Sequence, residues 1–73
     1  MIKINELARP DSCINRAKDH EMVFVLLGRD KAAPVAIRAW VNERIRLGKN
    51  ELHDSQIQEA LLAAKYMESH ING

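Results

Sequence analysis

Between Asp30 and Ile71 apolar side chains return every three or four residues, interrupted only by Gly48 and the polar stretch KNELHD. That spacing lines one face of an α-helix and fits no strand, so this part of the chain is committed to two amphipathic helices. The first is expected over 31–48. Asp30 offers a capping carboxylate, and Lys31, Ala32, Ala33 and Pro34 make a first turn in which proline is tolerated because that turn's N–H groups are mostly unpaired. Ile37, Trp40, Val41, Ile45 and Leu47 then recur at helical spacing, and Gly48 supplies a left-handed stop. The second is expected over 55–71. It opens with Ser55 and Gln58 in the pattern of a capping box, and Ile57, Ala60, Leu61, Ala64, Met67 and Ile71 form its stripe. Leu62 and Tyr66 add a second edge, which makes the apolar surface wider than one partner helix requires. A six-residue linker lets the two pair antiparallel as an αα-hairpin.

Residues 1–28 are less regular. RPDSCINRAKDHE reads as a cap at Asp11 or Ser12 and a turn or two of helix through Lys18, with Ile14 and Ala17 inward. MVFVLL, Met22 to Leu27, has strand propensity, yet a lone strand needs a partner and the other candidate, MIKI, is short. The expectation is therefore a short buried helix with Phe24 and Leu27 on one face, capping the hairpin. The fold class is all-α: three to four short helices around an αα-hairpin, in a single domain spanning 1–73.

A chain of 73 residues buries only about 60% of the surface its unfolded form exposes, so its core needs a supplement. Cys13 is the one cysteine, which excludes an intrachain disulfide and fits a reducing compartment. The candidate metal ligands Cys13, His20, His53 and His70 are scattered, with no CxxC pair and no two histidines three to five apart. Self-association is the supplement that remains, and a homo-oligomer is expected. The longest apolar run is the six residues Met22 to Leu27, against the roughly 18 of a membrane span, and no basic-then-apolar leader opens the chain. A cytoplasmic protein without membrane contact is expected.

The net charge of +1 conceals a division: residues 1–28 carry net 0, residues 29–49 net +4 and residues 50–73 net −3. The bland explanation is opposite charges facing across the hairpin seam, and a second is a basic helix of one subunit meeting the acidic helix of the next. Catalysis would need Cys13 or a serine beside a base. Cys13 reads as a small buried hydrophobe and His20 as a solvated loop residue. No Gly-rich phosphate loop, paired-carboxylate motif or HExxH occurs, so neither an enzyme nor a metal or cofactor is expected. Arg38 and Arg46 lie eight residues apart and share a helix face with Asn42, while Arg29 and Lys49 extend the basic character along the helix. A solvated exterior is the default for such a face, but guanidinium groups also bind phosphate bidentately. Trp40, between Ile37 and Val41, reads as core. Tyr66 is either a half-buried hairpin residue or an aromatic available for base stacking or a subunit interface. The candidate ligand-binding residues are thus Arg29, Arg38, Arg46 and Tyr66.

The segment DSCINRAKDHEMVFVLLGRDKAAPVAIRAWVNERIRLGKN resembles short helical proteins encoded by tailed bacteriophages and prophages. The matching features are the acidic Asp19 and Glu21 before the apolar run with Phe24 and Leu26, then Arg29 and Asp30, then Pro34, Ile37 and Trp40. His20 stands where an acidic residue is common in that group, and Met22 where a proline often opens the run. The resemblance implies phage origin and a mainly helical chain, and it brings no activity or site residues with it. Together these features lead to the expectation of a phage counter-defence protein. It would act in the host cytoplasm as an oligomer, sequestering a small anionic nucleotide signal without catalysis. The alternatives are a protein-binding inhibitor of a host defence factor and a small DNA-binding regulator. The weak +1 footprint and the acidic second helix count against nucleic acid as a partner.

Overall fold

The computed structural model describes residues 1–71 and contains the helices α1 (Lys3–Ala8), α2 (Cys13–Arg16), α3 (Ala33–Arg46) and α4 (Ser55–Ile71). No strand occurs among the described residues, so the chain is all-α.

Local chemistry sets the ends of α3. Asp30 Oδ1 accepts a hydrogen bond from Ala32 N at 2.8 Å, and Ala33 N donates to Asp30 O at 3.0 Å, so the turn before the helix is tied by one residue. Pro34 then occupies the first turn, where its missing N–H costs nothing. At the other end Lys49 N donates to Arg44 O and Gly48 N to Ile45 O, both at 3.0 Å, which is the paired-bond pattern of a Schellman stop. Gly48 takes φ of 74°, the left-handed conformation that pattern demands.

Asn50 organises the linker. It accepts from Arg44 Nε at 2.6 Å and donates to Asp54 Oδ2 at 2.9 Å and Gln56 Oε1 at 3.2 Å. Asp54 Oδ2 also accepts from Glu51 N at 3.0 Å. The start of α4 is therefore held by Asp54 and not by the expected capping box. Gln58 turns its amide to Leu52 O at 2.7 Å, where it helps to satisfy the linker instead of reaching back to Ser55.

The core is the contact between α3 and α4. Val41, Ile57 and Ala60 are buried together, with Ile37 and Leu61 packed against them, and Ala33 and Ala64 are also buried. The small residues on α4 allow close approach to α3. Arg38, in the first half of α3, meets Glu68, near the far end of α4. The apolar stripe of α4 is as expected at Ile57, Ala60 and Ala64, with Leu61 and Met67 half-buried; the expectation for the Ile71 side chain lies outside what is described.

At the other end of the chain α1 packs on α2, and no other pair of helices comes into contact. Polar side chains hold this unit together. Ser12 caps α2 by accepting from Asn15 N at 3.3 Å and donates to Glu6 O at 2.6 Å. Asn15 Nδ2 lies within 3.1 Å of Glu6 O, 2.9 Å of Leu7 O and 2.7 Å of Arg9 O, so one amide serves the carbonyls at the end of α1 that have no helical partner. No residue of α1 is buried.

Four expectations need correction. Met22 to Leu27 has no regular secondary structure and is not a short buried helix, and Phe24 and Leu27 are exposed. Six residues between Glu21 and Gly28 are too few to offset helix nucleation without a surface to pack on, and only Leu26 is even half-buried. Trp40 is 41% exposed because it lies at the margin of the Ile37–Val41 stripe, where the Arg44 guanidinium covers its ring at 5.6 Å. Cys13 is exposed, since α2 turns Ser12 inward and leaves Cys13 outside beside Arg16. Helix α2 stops at Arg16, short of Lys18, with Ile14 exposed and Ala17 half-buried.

Among the described residues, Ile57 is the one large side chain with no exposure at all. Ile57→Ala should cost about 2–5 kcal/mol in urea denaturation, and Trp40→Ala should cost less than that. Gly48→Ala should cost about 1 kcal/mol because alanine must adopt the left-handed conformation. An Ile57→Ala variant as stable as the parent would place the core elsewhere.

Candidate functional site

Every arginine of α3 is engaged within the chain. Arg38 donates to Glu68 Oε1 across the α3–α4 contact, and this half-exposed pair raises the Arg38 pKa and lowers that of Glu68. Arg46 holds Glu43 on its own helix, with Nε 2.9 Å from Oε2, and the same hydrogen bonding lowers the Glu43 pKa and raises that of Arg46. Arg44 is divided between Asn50 and the face of Trp40. Arg38 turns to α4 and Arg46 pairs along α3, and a carboxylate neutralises each. The two do not converge with Arg29 and Tyr66.

Arg29 and Tyr66 do come together. They line an open groove of about 370 Å³ with Gly28, Lys31, Met67 and His70, where the turn before α3 meets the last turns of α4. Leu27 O accepts from Asp30 N at 3.0 Å to close that turn, and Gly28 sits against the Met67 side chain. Tyr66 stacks on His70 with ring centroids 3.9 Å apart and planes 23° from parallel. His70 Nδ1 lies 2.9 Å from Tyr66 O, so that nitrogen carries the proton and Nε2 is left to solvent or a ligand. Among the described residues neither Arg29 nor Lys31 has a carboxylate partner. Two cations beside an aromatic pair suit a planar anion, although the carbonyls at the end of α4 oppose negative charge there. Sequence reading missed Lys31 and His70. The signal was present in Tyr66 and His70 at i, i+4 and in Arg29 and Lys31 flanking Asp30, but it was overshadowed by the longer arginine row on α3.

A second feature lies just before that groove. Met22 is 95% and Phe24 87% exposed, and Val23, Val25 and Leu27 are each at least half exposed. Among the described residues, no backbone hydrogen bond involves residues 22–26; the nearest are Glu21 N to Lys18 O and Asp30 N to Leu27 O. A run of β-favouring side chains with unpaired donors and acceptors is suited to pairing with another strand. Charges flank it asymmetrically, with Asp19 and Glu21 before it and Arg29 and Lys31 after it.

No helix among the described residues is long and apolar enough to cross a membrane, and these residues contain no cluster of three or more metal-ligating side chains. No protein-family model, curated protein or solved structure matches this chain.

The ion pairs give a pH dependence with a definite sign. Glu68, Glu43 and Asp54 have folded-state pKa values below the ordinary carboxylate range, Asp54 chiefly through its hydrogen bond from Asn50. A depressed folded pKa contributes stability that is present above the unfolded value, near about 4, and is lost as the pH falls through the folded value. The melting temperature should therefore hold steady down to about pH 5 and decline below about pH 4. Glu68→Gln should lower it at neutral pH and flatten the acid decline, and an unchanged acid profile in that variant would remove Glu68 as a contributor.

Proposed function

We propose that this chain is a small phage-encoded accessory protein that acts in the host cytoplasm by binding another polypeptide, without catalysis. In this reading α3 and α4 form an αα-hairpin that serves as a scaffold, and Met22 to Leu27 is the binding element. The observation that carries it is the exposed, backbone-unpaired apolar run, because the amides and carbonyls on one edge of it can be satisfied by strand addition while Phe24 and its neighbours bury apolar area. The phage assignment rests on the sequence resemblance alone. Binding to DNA is disfavoured because two of the three α3 arginines, Arg38 and Arg46, already have their charges met by carboxylates.

The test is capture of a discrete host protein by the purified chain, compared with Phe24→Asp. That side chain is exposed, so the variant should melt like the parent while losing the captured protein. Equal retention by both would show that the segment is not the binding element.

The groove supports a second reading, the sequestration of a small anionic nucleotide between Arg29, Lys31 and the Tyr66–His70 stack. A nucleotide at a hundredfold over its dissociation constant should add about 2.7 kcal/mol of stability. Arg29→Ala and Tyr66→Ala should abolish the thermal shift, and Arg46→Ala should leave it intact. A screen of cyclic di- and trinucleotides, ADP-ribose derivatives and mononucleotides that moves no melt would remove this reading.

A further inference from the structure

Resting on the reading of Met22 to Leu27 as the binding element, we infer that its partner is the same segment of a second copy, paired antiparallel about a two-fold axis at Val25.

The charges around the segment choose both the partner and the direction. A parallel pair of identical segments would set Glu21 beside Glu21 and Arg29 beside Arg29, which is repulsive at both ends. The antiparallel arrangement centred on Val25 brings the acidic end of one run, Asp19 and Glu21, toward the basic end of the other, Arg29 and Lys31, and these ends lie symmetrically about Val25 so that the match is made twice. Within the run, Phe24 then faces Leu26 and Val23 faces Leu27, with Val25 opposite itself. Each opposed pair is apolar, and the pairing stops where the turns at Lys18–Glu21 and Leu27–Asp30 begin.

The structure supplies the other requirements. Among the described residues, 22–26 make no backbone hydrogen bond, so their groups are available to a ladder. Arg29 and Lys31 have no carboxylate partner among the described residues, unlike the α3 arginines Arg38 and Arg46. Phe24 and Met22 are the most exposed large apolar residues of the segment, and the pairing places Phe24 beside Leu26 of the second copy. Two strands alone are marginal in water, and here each is anchored at its end, where Gly28 lies against Met67 of α4. A C2 contact of this kind is self-complementary and closes at two chains.

The test is sedimentation equilibrium of the whole chain with amide hydrogen exchange. At micromolar concentration the mass should be about twice 8.3 kDa, and the amides of residues 22–26 should exchange more slowly as concentration rises. Proline at Phe24 or at Val25, whichever aims its N–H at the partner, should return the protein to monomer with α3 and α4 intact. Glu21→Arg or Arg29→Glu alone should weaken the dimer about tenfold or more, and the double charge reversal should restore it. In a Cys13→Ser background, Val25→Cys should form an intermolecular disulfide with its own counterpart.

A dimer that tolerates both prolines and does not cross-link at Val25 overturns the inference. So does a monomer at 100 µM, and there the exchange data separate two failures. Fast exchange at residues 22–26 leaves the segment open to a different polypeptide, so only the choice of partner falls. Slow exchange in a monomer means that the segment is satisfied within its own chain, and the broader protein-binding reading falls with it.

Discussion

Everything ordered in the second half of this chain depends on one small contact, the burial of Val41 against Ile57 and Ala60 with Ile37 and Leu61 at its margin. Alanines at 60 and 64 bring α3 and α4 close, and closeness lets Arg38 reach Glu68. The same closeness limits the apolar area enclosed, because small side chains contribute little surface. A core with one fully buried large residue is a thin margin against the chain entropy of folding. Polar devices share the work: the Schellman stop at Gly48, the Asn50 network and the Ser12–Asn15 clamp on α1 each satisfy backbone or side-chain groups that the short helices leave open.

What the core does not enclose is as informative as what it does. Ile2, Ile4 and Leu7 in the N-terminal region, Met22 to Val25 in the apolar run, and Leu62 and Tyr66 on the outer side of α4 are all at least half exposed. Scattered apolar residues on a surface need no explanation, but a continuous run with unpaired backbone does.

The helix over 33–46 was legible because periodicity, a proline in the first turn and a glycine stop all agreed, and such agreement is rarely accidental, while the helix over 55–71 was legible from its periodicity. The segment Met22 to Leu27 was misread because burial was assumed from composition. Its strand propensity was visible, and it was set aside only because no partner exists within the chain, an argument that fails as soon as the partner is another chain. Helix α1 escaped notice for a related reason: MIKI has no helical period of its own, and what ends the helix is a clamp from Asn15, about a dozen residues along from Lys3. Of the four candidate ligand residues, Arg29 and Tyr66 meet and Arg38 and Arg46 do not. Helical spacing predicts which side chains share a face but not which of them a facing carboxylate will neutralise, and Glu68 is thirty residues away from Arg38 in the chain.

Arg29 links the two readings of this molecule and sets them in competition. In the groove it stands beside Lys31, Tyr66 and His70, where a phosphate would find a bidentate donor. In the paired ribbon the acidic end of the second copy, Asp19 and Glu21, comes toward it with carboxylates of the same geometric demand. One guanidinium near the surface cannot fully satisfy both, so an anion that occupies the groove withdraws a contact from the dimer twice over, once at each symmetry-related end. By linkage the dimer must then weaken the anion to the same degree. Lys31 and His70 soften this exclusion but do not abolish it, because neither presents a planar fork. On these two proposals, competition for a single arginine would make assembly and anion binding opposing equilibria, although the two surfaces adjoin in the fold.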